Sequence, residues 1–168
     1  GFSMGDPLIH VGWQLYCDVM HYEVRPGIEF NPRRPLQGQA FVRRRSVVVG
    51  PQKIGKSPWL ASLKLFEADG PCLFAGWARG GERYLCRENG CGCGFEFIYR
   101  TGDPMGMRRP KALIQLLATA EDQTDNVYLP MQTMVRGGPL GVRLRVLEDR
   151  IALDNGGRIE PVTAKATA

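Results

Sequence analysis

The spacing of apolar and polar residues changes along the chain between helical and strand periods, and it predicts a mixed α/β fold. Apolar positions at helical spacing predict a helix over residues 12–22. The segment Phe41–Val49 is basic at first and ends in three consecutive valines, which predicts a strand buried on both faces of a parallel sheet. A second helix is expected over Trp59–Asp69, where Gly70-Pro71 ends it.

The second half of the chain continues with short strands and one more helix. Apolar runs predict strands over Cys72–Gly76 and Ala112–Ala118, and an apolar stripe predicts a helix over Glu121–Val135. Residues 78–110 are instead rich in glycine, cysteine and aromatic side chains, which predicts an inserted β-hairpin or knuckle. A further hairpin is expected over residues 151–162, around an Asp-Asn-Gly-Gly turn.

The loop after the predicted valine strand has the spacing of a phosphate-binding P-loop, G-x-x-x-x-G-K-S. In such a loop, backbone N–H groups and the N-terminus of the following helix form a concave donor site for phosphate oxygens. Lys56 is expected to reach the β- and γ-phosphates of a nucleoside triphosphate, and the Ser57 hydroxyl to ligate Mg²⁺. The predicted ATP-binding residues of the loop are Gly50, Pro51, Gln52, Lys53, Ile54, Gly55, Lys56 and Ser57.

These elements predict a P-loop NTPase-like parallel sheet with flanking helices and an inserted Cys/Gly-rich β-hairpin. Hydrolysis also requires an acidic residue for the Mg²⁺ shell and a carboxylate that orients water. The nearest acidic pair, Glu121-Asp122, is interpreted as the acidic start of a helix, so the catalytic carboxylate is unknown. Because the chain starts at Gly1 and ends at Ala168 without a terminating element, we expect the N-terminal part of an incomplete domain.

Composition narrows the class of protein only slightly. A hydrophobic content of 43% with 23% charged residues is ordinary for a soluble globular protein. No apolar run approaches the roughly 18–20 residues that span a bilayer, and the start does not resemble a signal peptide, so we expect a cytosolic protein. The net charge of +5 agrees weakly with polyanionic partners, although solvated surface charge is the alternative. The basic clusters are Arg33-Arg34, Arg43-Arg44-Arg45 and Arg108-Arg109.

Three of the five cysteines, Cys86, Cys91 and Cys93, lie within eight residues of one another. Thiolates are favoured ligands of structural Zn²⁺, which prefers four ligands in a tetrahedron, and Cys72 is the first candidate for the fourth. The spacing is not that of a common C-x2-C pair, and a second pair is missing. Reduced cysteines in a tight hairpin and redox chemistry therefore stay open as alternatives.

Five segments form a combination that is far more specific than the P-loop alone. They are VVVGPQKIGKSPW (47–59), FAGWA (74–78), CRENGCGCG (86–94), GDPMG (102–106) and EDQTDNVY (121–128). Together they resemble the large subunit of the terminases of tailed bacteriophages, most closely versions from phages of actinobacteria. The resemblance covers most of residues 13–163.

The resemblance implies an ATPase domain that drives double-stranded DNA into a preformed capsid, with ATP and Mg²⁺ as cofactors. It assigns phosphate binding to Gly50–Ser57 and makes Gln14, in the pair Trp13-Gln14, the expected adenine-reading residue. Many terminases carry an arginine within this loop, and here Lys53 is the candidate for a γ-phosphate contact.

Further expectations follow from the same resemblance. The implied partners are the capsid portal and the small terminase subunit, in a homo-oligomeric motor that works in the host cytoplasm without a membrane. The family's acidic Walker B strand, coupling motif and nuclease domain find no counterpart before Ala168. The chain is therefore expected to bind nucleotide poorly and to hydrolyse little.

Two other functions remain open from the residues. A different P-loop enzyme, such as a small kinase, would need an acceptor-binding lid and its own acidic base, and the sequence offers no candidate for either. A zinc-knuckle nucleic-acid module would make the Gly-rich loop incidental. Tight zinc binding without nucleotide affinity would favour this second alternative.

Overall fold

The strands of the described residues are divided among three sheets. The computed structural model describes residues 8–36, 40–89, 93–119 and 121–163. Within these ranges the elements are, in chain order, α1 (Gly12–His21), α2 (Lys56–Asp69), β1 (Leu73–Trp77), β2 (Arg83–Leu85), β3 (Glu96–Ile98), β4 (Pro104–Met107), β5 (Leu113–Ala118), α3 (Glu121–Gly137), β6 (Leu144–Val146), β7 (Ile151–Leu153) and β8 (Arg158–Thr163). The mixed α/β class and all three predicted helices are confirmed.

The main sheet has the strand order β5-β8-β7-β6. β5 runs parallel to β8, with Leu113 opposite Arg158, whereas β8, β7 and β6 are joined by antiparallel pairing. The turn predicted between β7 and β8 is present, and Gly156 takes a φ of 80° there. Glycine adopts this left-handed conformation without the steric cost of a Cβ atom.

The hydrophobic core lies where α2 and α3 pack against the main sheet. α2 contributes Ala61 and Ala68, which are fully buried and small enough to let the two helices approach closely. α3 contributes Met131 and Val135, four residues apart on one face. The sheet completes the core with Leu116, Leu144, Ile151, Leu153 and Ile159.

A two-part hairpin connects α2 to the main sheet. β1 pairs antiparallel with β4, and between them in sequence β2 pairs antiparallel with β3. The β-hairpin predicted within residues 78–110 is therefore present. The strand predicted over Cys72–Gly76 is present as β1, but it pairs with β4 and not with a strand of the main sheet.

The strand predicted over Phe41–Val49 is not observed. Phe41 forms an isolated bridge to Val24, and residues 43–49 belong to no strand. Val47 and Val49 are 88% and 92% exposed rather than buried. A strand needs a neighbour for its backbone N–H and C=O groups, and no described strand pairs with this segment. The parallel sheet expected around the P-loop is therefore not established.

A buried ion cluster attaches the C-terminal end of α2 to the rest of the fold. The Asp69 side chain is 2% exposed and forms ion pairs with Arg108, which precedes β5, and with Arg143, at 3.4 Å, which precedes β6. Asp154 lies 2.5 Å from the Arg108 guanidinium and 3.1 Å from that of Arg143. Burial is the largest influence on Asp69 and raises its pKa from 3.8 to about 6, against the opposing effect of Arg108.

This pKa predicts how the stability depends on pH. Since the folded-state pKa of Asp69 is raised, its contribution is fully present below pH 3.8 and is lost as the pH rises through about 6. The free energy of unfolding of the wild type should therefore fall relative to that of Asp69→Asn by about 2–3 kcal/mol across this range. Urea denaturation between these pH values measures the difference.

Asp149→Asn, at a carboxylate that is 69% exposed, is the matched control for the loss of one negative charge. A wild type that gains stability relative to Asp69→Asn as the pH rises would contradict the prediction, because the two arginines would then outweigh burial.

Candidate phosphate-binding loop

The loop Gly50–Ser57 leads directly into α2 and carries two residues with positive φ. Gly55 is the N-cap of α2, with a φ of 85° and a ψ of 23°, and Lys53 has a φ of 65°. A Cβ atom at Gly55 would be strained in this backbone conformation and would lie 3.3 Å from Nε2 of Gln14. The second glycine of the motif therefore meets a local requirement of the turn.

Backbone donors of the loop and of the first helical turn are available to an external acceptor. The bond that closes the first turn runs from Trp59 N–H to Gly55 O, at 3.3 Å. In the part of the chain that the structure describes, no backbone acceptor pairs with the N–H groups of Lys53, Ile54 or Gly55. The helix N-terminus adds a partial positive charge at the same place. Such an arrangement favours the binding of an anion.

The Lys56 ammonium lies across the loop. Its Nζ donates to the carbonyl oxygen of Gly50, at 2.9 Å, and to that of Pro51. An ammonium has three donors on a flexible stem, so it can also reach an acceptor placed within the loop. Lys56 and Ser57 are both half-buried at the start of α2. The motif lysine and serine are thus both placed at the helix N-terminus, next to the free backbone donors.

Gln14 of α1 supports the loop from one side. Its side chain is buried, Nε2 donates to Gly55 O at 3.2 Å, and Oε1 accepts from Val11 N–H at 2.9 Å. Its expected part in adenine recognition stays a prediction. These two contacts also give the Gln14 amide a structural role, because they hold the carbonyl group of Gly55, the N-cap of α2.

A polar network between α1 and α2 was not predicted from the sequence. Asp18 accepts from Trp59 Nε1 at 2.8 Å and lies 2.5 Å from His10 Nδ1, while His10 Nε2 lies 2.9 Å from Ser62 Oγ. Asp18 follows Gln14 by four residues, so both project from the same side of α1. This spacing of two polar residues was the available signal for a contact between the helices.

The contacts Asp18–His10–Ser62 have the order of a nucleophilic Ser-His-Asp triad, but the direction of the hydrogen bond at the serine is different. The Ser62 hydroxyl donates to Trp59 O at 2.7 Å, so it presents lone pairs to His10. A nucleophilic serine must instead give its proton to the histidine. The network therefore joins the two helices and does not prepare a nucleophile.

The predicted acidic start of a helix is present in α3. Glu121 and Asp122 form the start of α3, and the identity of a catalytic carboxylate stays open. Lys53 is exposed in the loop, and its contact with a γ-phosphate stays a prediction. No helix of the described residues is both long and apolar enough to cross a membrane.

The cysteine cluster lies partly outside the described residues, because Cys91 is not among them. Cys72 is buried, its thiol donates to Glu67 O at 3.4 Å, and burial raises its pKa to about 11. The described ranges contain no group of three His, Cys, Asp or Glu side chains that could hold a metal ion. Zinc binding by Cys86, Cys91 and Cys93 stays a prediction.

Comparison with known proteins adds no assignment. No protein-family model matches the chain, and no curated protein or solved structure shows a significant similarity to it.

The contacts of Gln14 lead to a prediction that separates its two tasks. If Gln14 acts by fixing Gly55, Gln14→Ala should weaken the binding of MgATP and of MgGTP by the same factor, roughly 3- to 10-fold for one lost hydrogen bond. Equilibrium titration with both nucleotides measures this, with Gln132→Ala on α3 as the matched control. A loss confined to MgATP would show instead that Gln14 recognises adenine.

Proposed function

We propose that the chain binds the triphosphate of ATP at Gly50–Ser57, as the nucleotide-binding part of a terminase-type motor that moves double-stranded DNA into a capsid. The observation that carries the nucleotide part is the convergence on one loop of the start of α2, the Lys56 ammonium and backbone N–H groups that have no backbone acceptor among the described residues. These are the donors that a multiply charged phosphate group needs.

The residues of the loop divide the binding task between them. The N–H groups of residues 53–57 donate to phosphate oxygens, and the left-handed Gly55 lets the backbone approach them closely. Lys56 exchanges its bonds with the Gly50 and Pro51 carbonyls for bonds to the β- and γ-phosphates. Ser57 would hold Mg²⁺ through its hydroxyl group, and a bound Mg²⁺ neutralises phosphate charge.

The motor part of the proposal is supported by the terminase-like segments and by the basic character of the chain. It brings with it the capsid portal and the small terminase subunit as partners, a homo-oligomeric assembly, and the host cytoplasm as the place of action. ATP hydrolysis belongs to this proposal, with Lys53 as the candidate for contacting the γ-phosphate. Structural zinc at the cysteine cluster would be an accessory feature of the same protein.

Replacement of the motif lysine tests the nucleotide part. Lys56→Ala removes a charge-assisted donor from the loop, so we expect the affinity for MgATP to fall roughly 10- to 100-fold. Lys64→Ala, two turns further along α2, is the matched control and should bind as the wild type does. Isothermal titration at low ionic strength measures both, and inorganic pyrophosphate should compete with MgATP.

An unchanged affinity of Lys56→Ala would contradict the assignment of the loop. Metal analysis of the same preparation separates the main alternative: one tightly bound zinc per chain together with no MgATP binding would favour the nucleic-acid module.

A further inference from the structure

A cavity of about 990 Å³ lies away from the P-loop, between residues of the ranges 28–36 and 40–44 and the strands β1 and β5. The buried residues Cys72 and Phe74 are among those that line it. Its volume is at the upper end of the roughly 300–1,000 Å³ that ligand pockets occupy. None of the P-loop residues lines it, so it is separate from the proposed nucleotide site.

The charge of the cavity wall is strongly unbalanced. Two glutamates line it, against six arginines and lysines. These six come from all three basic clusters of the sequence and from two single lysines: Arg34, Arg43, Arg44, Lys64, Arg109 and Lys111. The fold therefore brings together on one concave surface basic groups that the sequence spreads over nearly 80 positions.

One of the two glutamates is already engaged by neighbouring groups. Glu67 accepts from Tyr22 Oη at 2.7 Å and from Arg109 Nη2 at 3.2 Å. Among the described residues, no carboxylate forms an ion pair with Arg34, Lys64 or Lys111. These three cations keep their charge available for an external anion.

Aromatic side chains line the same cavity as the cations. Tyr22, Phe30 and Phe41 are half-buried and line the cavity together with Phe74. Their rings pack edge-to-face in two pairs. The ring centroids are 6.3 Å apart for Phe30 and Phe74, and 5.9 Å apart for Tyr22 and Phe41. Basic side chains that follow a phosphate backbone, combined with aromatic rings on which bases stack, are the elements of single-strand binding sites.

We infer that this cavity binds a short single-stranded segment of nucleic acid, with its phosphates on Arg34 and Lys111 and its bases against the aromatic wall. The concave shape favours a single strand over a duplex, whose stacked bases cannot reach rings inside a cavity. This site goes beyond the proposed function, because it shares no residue with the P-loop and concerns a strand rather than a nucleoside triphosphate or a double helix.

The binding of a labelled oligothymidine of about 12 nucleotides tests this inference. Fluorescence anisotropy is measured between roughly 50 and 200 mM salt for the wild type and for the double variant Arg34→Gln/Lys111→Gln. We expect the double variant to bind about tenfold more weakly at the lower salt. Its plot of log affinity against log salt should be less steep by about 0.7 for each lost phosphate contact.

The matched control is Arg136→Gln/Arg145→Gln, which removes two charges from exposed positions that do not line the cavity. It should retain wild-type affinity, and so should Lys56→Ala, which keeps this result independent of the nucleotide site. Both target residues are exposed, and unchanged melting temperatures verify that the variants are folded.

Three outcomes would overturn the inference. They are no binding by the wild type at the lower salt, an equal loss in the control double variant, and competition by a duplex of the same sequence as effective as that by the unlabelled single strand.

Discussion

The buried carboxylate of Asp69 is the constraint on which the arrangement of the fold depends. A charge that is almost fully removed from water requires partners, since an unpaired buried ion costs several kcal/mol. Arg108 and Arg143 are these partners, and they lie in the segments before β5 and β6, the two edge strands of the main sheet. The C-terminal end of α2 is therefore attached at both edges of that sheet. With that end fixed, the 14-residue helix places its N-terminus about 20 Å away. The loop Gly50–Ser57 is located at that distant end.

The N-terminal end of α2 is held differently, by polar contacts from α1. Gln14 donates a hydrogen bond to the carbonyl oxygen of Gly55. Asp18 accepts a hydrogen bond from the indole N–H of Trp59, one turn further along α2. By contrast, the segment 43–49 that precedes the loop belongs to no strand and has no strand neighbour among the described residues. The loop Gly50–Ser57 is therefore held by α1 and by its own left-handed residues. The sequence pattern predicts instead that a buried strand over Phe41–Val49 holds it.

Local signals predicted most elements, and non-local pairing explains what they missed. The three helices, β5 and the hairpin of β7 with β8 follow from periodicity, capping and turn residues, which act within a few positions. The run Val47-Val48-Val49 satisfied the same strand criteria, but burial requires a neighbouring strand that no local pattern specifies. In the site, the motif spacing predicts a loop followed by a helix, and Lys56 lies at the start of α2. The convergence of distant arginines on one cavity could not be predicted, because each cluster alone resembles ordinary surface charge.

The central claim is that the donors of Gly50–Ser57 receive a triphosphate, and amide chemical shifts report on those donors directly. A ¹H–¹⁵N correlation spectrum is recorded during titration with MgATP, and again with inorganic pyrophosphate. The account predicts that the largest downfield shifts occur at the amides of residues 53–57, where the N–H groups gain charged acceptors, with smaller changes at Gln14. If the amides of residues 53–57 do not shift and the changes instead cluster around Arg34 and Lys111, this claim is contradicted. The basic cavity would then be the site that binds the nucleotide.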